Sequence, residues 1–452
     1  MMPIAKQWWG SLAAAAGLLL LSACSGSEST PNTNTTDDFQ IVVDQSVVNL
    51  TEGDTAGVNL NVSLIRQNNY AGAVQLSILG IADSDSVNMR GAFSSDFFSP
   101  SSNSTTLNLA LNIGALPIQP QERRFVVRAS SESGISDANV IVNVSPTSAP
   151  DVYLLVGQSN MVGFSGDGTK ESYAGGPDEP NDRILQLNVT RNDQFNIFTT
   201  GTTFTSPASN VLTPALVRAE DPLHIPFDPE NPEKVHAYIG LGLTFAKQAL
   251  NDTNANVILV PAAWSGSAFC DNDGGPNGQW NAQSTSDGNL GNTWLFDRAV
   301  TRANMAISES GGVLRGILWH QGESDANERC SSSYLANLER LAQQFRTQIQ
   351  PDRRGGDWRR SNSNIPFVVG SMSRGNDDRG DLSDFSEDKQ RIDSAHRQLP
   401  SQIVHAAFSN HDDLTPANGY ACGNTSCIHF GPAALREMGR RYYSALRQAA
   451  AQ

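Results

Sequence analysis

The chain has 452 residues, a formal net charge of −15 and a sequence pI near 4.9. That length exceeds one ordinary domain, so two or more are expected. The acidic balance argues against a nucleic-acid partner, which needs a basic face, and suits an exported enzyme acting on a neutral polymer without identifying one.

At the N-terminus, Lys6 supplies a positive start and Ser11–Leu21 is a short apolar run rich in Ala and Leu. The run is too short and wrongly flanked for a membrane span and reads as a secretory signal. It ends in Leu21-Ser22-Ala23-Cys24, which resembles a bacterial lipoprotein signal whose Cys receives lipid; the plainer reading is an ordinary signal peptide containing Cys24. The expected organisation is a signal over 1–23, lipidation at Cys24, and a flexible tether over 24–37, a stretch of Ser, Thr, Asn, Gly and acid that cannot bury a core. Ser25, rather than Asp, follows the Cys. By resemblance to Gram-negative lipoproteins this favours the outer membrane, with contact through the lipid anchor only, on its periplasmic or cell-surface face.

From residue 38 to 148 the pattern has period two. Val58, Leu60, Val62 and Leu64 alternate with polar residues, as do Val74, Leu76 and Ile78, then Leu107, Leu109 and Leu111, then Val140, Val142 and Val144. Such runs, separated by Gly, Asn, Ser and Pro clusters, predict a small antiparallel β-sandwich. The stretch resembles bacterial Ig-like modules around "GAVQLSILGI". With no cluster of aromatics to form a sugar platform, a spacer role is expected rather than carbohydrate binding.

After the Pro/Ser linker that ends at Pro150 the grammar changes. Val152–Val156 is continuously apolar, and Val257–Val260, Val313–Trp319, Phe367–Gly370 and Ile403–Phe408 are similar. These read as strands buried on both faces. Between them, Leu335, Leu338, Leu341, Phe345 and Ile349 form one helical stripe, and Leu295–Ile307 and Pro432–Leu446 predict two further helices. Residues 150–452 are therefore expected to be an α/β domain, a parallel sheet covered by helices on both faces, with its chemistry at the carboxyl ends of the strands.

Three strings lie at or near such ends. The first strand runs into Gly157-Gln158-Ser159-Asn160-Met161, which can present a serine hydroxyl and its N–H, although Met161 stands where a G-x-S-x-G elbow needs Gly. Trp319-His320-Gln321-Gly322-Glu323-Ser324-Asp325 gathers an imidazole, a carboxamide and two carboxylates. Taken singly these could be a capped turn. Ile428-His429-Phe430-Gly431-Pro432 places a His just before a helix that Pro432 opens. That is where a hydrolase needs a base able to fold back over the sheet.

Together, "VGQSNMVG", "GILWHQGESDA" and "IHF" resemble SGNH-type hydrolases of the sialate O-acetylesterase and acetylxylan esterase kind, carbohydrate esterase family 6. The intervening "EDPLH", "GLGLTFAK" and "VILVPAAWSGSAF" fall in the matching order, over residues about 151 to 446. The resemblance implies an SGNH-like, flavodoxin-like sheet and a serine esterase that removes O-acetyl groups from acetylated carbohydrate through an acyl-enzyme. Ser159 would be the nucleophile and His429 the base. The oxyanion would be held by the N–H groups of Ser159 and Gly266 and the side-chain amide of Gln321. Ser265 stands where the family has the first Gly of a pair. The acid is less direct: many SGNH enzymes carry Asp three residues before the His, and here that position is Ser426. Glu323 is the family-consistent acid, with Asp413 and Asp325 as rivals.

Four cysteines remain besides Cys24, and an even number in an oxidising compartment suggests two disulfides. Cys422 and Cys427 are near enough to staple one loop, which leaves Cys270 and Cys330; three pairings are formally open. His224, His236, His320, His396, His405 and His411 show no metal-ligand spacing, so no metal and no cofactor are expected. Competing functional readings are a carbohydrate-binding or adhesion lipoprotein that lost its chemistry, and a lipase or thioesterase of the same fold. No residue reads a particular sugar or an oligomeric state.

Overall fold

The computed structural model describes residues 38–54, 56–81, 89–163, 165, 170–188, 215–224, 238–270, 280, 294–350, 364–375, 385–424 and 427–452. The expected signal, Cys24 and the tether lie outside the described residues, as do His236 and Ser426.

The first region is all strand: β1 (Phe39–Val43), β2 (Val47–Thr51), β3 (Val58–Arg66), β4 (Val74–Leu79), β5 (Met89–Phe93), β6 (Phe97–Phe98), β7 (Ser104–Leu111), β8 (Gln121–Ser131) and β9 (Gly134–Ser145). They form two sheets, β1-β3-β7-β5 and β2-β9-β8-β4-β6. Alternation decides which side chains meet. Leu60, Val62, Leu107 and Leu109 of one sheet share a core with Val74, Leu76, Val127, Val140 and Val142 of the other, while Asn59 and Asn61 face outward. One pairing departs from the all-antiparallel expectation: β2 runs parallel to β9. The chain leaves the first sheet after β1 and joins the second as its edge strand, in the direction β9 already follows.

The second region is built from β10 (Asp151–Gly157), α1 (Ser159–Val162), β11 (Ile184–Leu187), β12 (Leu216–Arg218), α2 (Gly242–Ala249), β13 (Val257–Pro261), α3 (Trp294–Ser310), β14 (Val313–His320), α4 (Tyr334–Gln348), β15 (Phe367–Gly370), α5 (Glu387–Gln402), β16 (Ala406–Ser409) and α6 (Pro432–Ala450). Its sheet has the order β12-β11-β13-β10-β14-β15-β16, parallel except where β12 runs against β11. Every residue of β10 is buried because each face has its own core. Val152, Leu154 and Val156 pack with α3, α4 and α5, while Tyr153 and Leu155 pack with α2 and α6. After β10 the chain first lays down β11, β12 and β13 on one side of it and then β14, β15 and β16 on the other, so the crevice beyond the end of β10 is a topological switch point.

The Ile403–Phe408 run is strand only from Ala406. Helix α5 continues through Gln402, and His405 turns the chain with a φ of 53°. Helix α5 buries few apolar residues, Ile392, Ala395 and Leu399, among many charged ones, so no long stripe marks it in the sequence. Among the described residues no helix is long and apolar enough to cross a membrane.

The two regions are joined by a buried ionic contact. Arg315 of β14 donates to both Glu52 oxygens, at 2.9 and 3.2 Å, to the Gly114 carbonyl at 2.8 Å, and to Asp151 of β10 at 2.7 Å. Arg315 and Asp151 are each 1% exposed and Glu52 is 2% exposed.

Candidate active site

Three adjacent strands deliver the site. Gly157 ends β10 with a φ of 134°, opposite His320 of β14, and a Cβ there would lie 2.0 Å from the His320 carbonyl oxygen. Only glycine allows this close approach in that conformation. The turn is then pinned: the Gln158 N–H donates to the His320 carbonyl at 2.9 Å, and the Trp264 N–H donates to the Gly157 carbonyl at 2.9 Å. The loops after β10, β13 and β14 are thus tied at one point.

Ser159 follows as the first residue of α1, 5% exposed. Its Oγ lies 2.9 Å from His429 Nε2. His429 reaches it from the loop before α6. In that loop Cys422 is bonded to Cys427, Cys422 bridges to Phe430, and the Gly423 N–H donates to the His429 carbonyl at 2.8 Å. His429 is half-buried, and burial lowers its pKa from 6.5. A hydroxyl within hydrogen-bond reach of a neutral imidazole is the starting arrangement for nucleophilic catalysis.

On the other side of Ser159, the loop after β13 presents Gly266 with a φ of 69°. Among the described residues, neither the Ser159 N–H nor the Gly266 N–H meets an acceptor. The loop itself is heavily bonded. Ser267 Oγ donates to the Trp264 carbonyl at 2.7 Å and accepts from Trp280 Nε1 at 2.7 Å. The Phe269 N–H donates to Asp325 at 2.9 Å, the Cys270 N–H donates to it at 3.3 Å, and Cys270 is bonded to Cys330.

The chain's residues 149–448 match the profile of a family described as "Carbohydrate esterase, sialic acid-specific acetylesterase". The chain belongs to this family. A probable carbohydrate esterase of Arabidopsis thaliana is 28% identical over 214 residues, 45% of this chain and 65% of that relative, so the match spans just under two thirds of the relative's length. A solved carbohydrate acetylesterase from Xanthomonas citri aligns at 16% identity with a TM-score of 0.43, over 89% of this chain and 73% of that one. NanS aligns at 17% identity with a TM-score of 0.44, over 67% of this chain and 97% of that one.

Within this carbohydrate esterase chain, four site residues singled out from sequence stand differently from expectation. Gln321 is fully buried and its amide is spent: Nε2 donates to the Ser267 carbonyl at 3.0 Å and to Asp325 at 2.8 Å, while Oε1 accepts from the Tyr334 hydroxyl at 2.9 Å. It braces the Gly266 loop instead of facing an oxyanion. Asp325 is also fully buried. It serves as an acceptor for that loop, and burial pushes its pKa to about 6. Asp413 is exposed and paired with Arg441, whose guanidinium holds its pKa below the ordinary value. Glu323 accepts from Asn160 Nδ2 at 2.9 Å, and its other oxygen is buried without a partner. Burial is the main influence on Glu323 and raises its pKa, partly offset by the Asn160 hydrogen bond. Among the described residues, no hydrogen bond joins any of these three carboxylates to His429. The reason is placement: Asp325 is taken up by the loop after β13, Glu323 by Asn160 of α1 and Asp413 by Arg441 of α6.

Sequence reasoning passed over Asn160, although it directly follows the nucleophile, and Tyr334, whose hydroxyl joins Gln321 to His396 Nε2 at 2.9 Å. Among the described residues, His224, His320, His396 and His411 are buried and His405 is half-buried. His224, His320 and His396 are held neutral by burial, with pKa values lowered to about 3. His411 bonds Ser409 at 2.8 Å and His405 bonds the Ala449 carbonyl at 3.0 Å. Cys270, Asp325 and Cys330 bring potential metal ligands within 4.8 Å of one another, but both sulfurs are committed to a disulfide.

Proposed function

We propose that the protein is a serine esterase that removes O-acetyl groups from carbohydrate. The observation that carries this reading is the 2.9 Å contact between Ser159 Oγ and His429 Nε2 at the end of β10, in a chain of the carbohydrate esterase family. Ser159 Oγ attacks the acetyl carbonyl as His429 Nε2 takes its proton. The N–H groups of Ser159 and Gly266 receive the oxyanion, each donor contributing about 3 kcal/mol to the transition state. The bond to the sugar oxygen breaks and His429 returns the proton to that oxygen. Water, deprotonated by His429, then attacks the acetyl-serine, acetate leaves, and Ser159 recovers its proton.

The substrate class is acetylated xylan-like polysaccharide or O-acetylated sialic acid. The signal-like N-terminus and Cys24 support an exported enzyme held by lipid at the outer membrane, with residues 38–148 as an Ig-like module ahead of an SGNH-type domain. The test is acetate release from acetylated xylan, other acetylated glycans and O-acetylated sialosides, with p-nitrophenyl acetate as reference. Ser159→Ala should abolish all of it. Equal hydrolysis by the variant would overturn the assignment, and a preference for long acyl esters would favour a lipase.

A further inference from the structure

Glu323, Asp325 and Asp413 do not bond the His429 ring, so any part they play in placing it runs through other groups. Two side chains grip the backbone of the base: within the loop Asn424 Oδ1 accepts the His429 N–H at 3.3 Å, and the other comes from the residue beside the nucleophile. Asn160 is fully buried. Its Nδ2 donates to the Ile428 carbonyl at 3.0 Å and to Glu323 Oε1 at 2.9 Å, and its Oδ1 accepts the Phe430 N–H at 3.0 Å. Ile428 C=O and Phe430 N–H belong to the two peptide groups that flank His429. One carboxamide therefore holds the backbone on both sides of the base.

The chemistry of the partners fixes the orientation. A carbonyl and a carboxylate can only accept, and a backbone N–H can only donate, so the amide has one satisfied setting and no useful flip. Glu323 reinforces that setting with a charge-assisted bond. Because Asn160 and Ser159 are successive residues of α1, the nucleophile and the clamp on its base move together.

We propose that Asn160 is a positioning residue for His429, and that Glu323 acts on the base through Asn160, as a hydrogen-bond acceptor and not as a triad charge. The inference rests on the Ser159–His429 reading above.

The experiment compares Asn160→Asp, Glu323→Gln and Glu323→Ala in the full chain, with Ser159→Ala alongside. Aspartate at 160 keeps the size and the Phe430 bond but turns an oxygen toward two acceptors. We expect kcat to fall about 100-fold, as for a misplaced catalytic group. KM should stay within about threefold, since ground-state binding is untouched. The acidic limb of the pH–rate profile should move to higher pH, because a new carboxylate near His429 favours the imidazolium. Glu323→Gln still offers Asn160 an oxygen and should stay within about tenfold of the parent, whereas Glu323→Ala should approach Asn160→Asp. A folded Asn160→Asp with parental kcat overturns the inference. So does a Glu323→Gln variant as impaired as Glu323→Ala, because that result demands a charge. If Asn160→Asp does not fold, the two Glu323 variants decide alone. An active Ser159→Ala refutes the proposed function itself; an inert one beside a fully active Asn160→Asp refutes only the role of Asn160.

Discussion

The two loops that flank Ser159 solve opposite problems. The loop from Trp264 to Cys270 supplies a backbone N–H, which has no rotamer of its own, so its direction is only as good as the loop. That loop is held by Trp280 a little further along the chain and by Gln321 and Asp325 more than 50 positions away, with a disulfide spanning 60 positions to Cys330. The loop from Cys422 to Phe430 supplies a ring that must accept and return protons. It is closed locally, by a disulfide of separation 5 and by short-range backbone bonds, with Asn160 reaching in from α1. Fixed donors call for a buried scaffold, whereas a base calls for a local brace at partial exposure.

The sharpest way to break this contrast is at the scaffold. Asp325→Ala would strand the Phe269 and Cys270 N–H groups and one Gln321 N–H, each at a cost of about 1–3 kcal/mol. The melting temperature should drop by several degrees. Turnover should fall about 100-fold as Gly266 shifts. Steady-state kinetics and a thermal melt check this, and parental values for both would show that the loop holds its shape without Asp325.

A smaller effect is expected on the base side. Replacing both Cys422 and Cys427 by Ser leaves the Asn160 clamp and the Gly423–His429 bond in place. The double variant should lose about 2 kcal/mol of stability. Its kcat should fall about fivefold. Unchanged kinetics and melting would remove the staple from any role in placing the base.

The smallest expected signature is a displacement of the pH profile. His429 works as a base only when neutral, and burial lowers its pKa. The neutral form therefore persists to lower pH than for a free imidazole, so the acidic limb of kcat/KM should lie below pH 6.5. A limb above that value would mean that a carboxylate faces the ring in solution.

How much of this was legible beforehand depended on whether the signal was periodic or positional. The runs at β10, β13, β14 and β15 and the alternation at β3, β4, β7 and β9 are periodic, because burial on one or both faces imposes the pattern. Ser159 and His429 were legible only together, because the strings around them occur in the order of one family; alone, a serine at a strand end or a histidine before a helix is as readily a turn or a cap. The setting of Gln321 was not legible, because an amide at a strand end can face either the cleft or a neighbouring loop, and its bonds to the distant Ser267 carbonyl and to the Asp325 carboxylate are contacts that the string does not show. Glu323 leaves a similar ambiguity: the string shows a carboxylate near the site but not the Asn160 amide that it accepts from. Helix α5 left no stripe because it is largely solvated and buries few apolar residues.

The contact between Arg315 and Glu52 has a consequence for how such a chain can be assembled from parts. Arg315 sits on β14, the strand that ends at His320, and its guanidinium is shared by a carboxylate from each region. Removing one partner of a buried pair costs about 3–5 kcal/mol. The N-terminal region is therefore not a cartridge that recombination can swap for an unrelated module. A replacement must bring its own carboxylate to the same place, or arrive together with a change at position 315. Over time the two stretches of gene should change in step across this junction, even though the linker between them looks freely exchangeable.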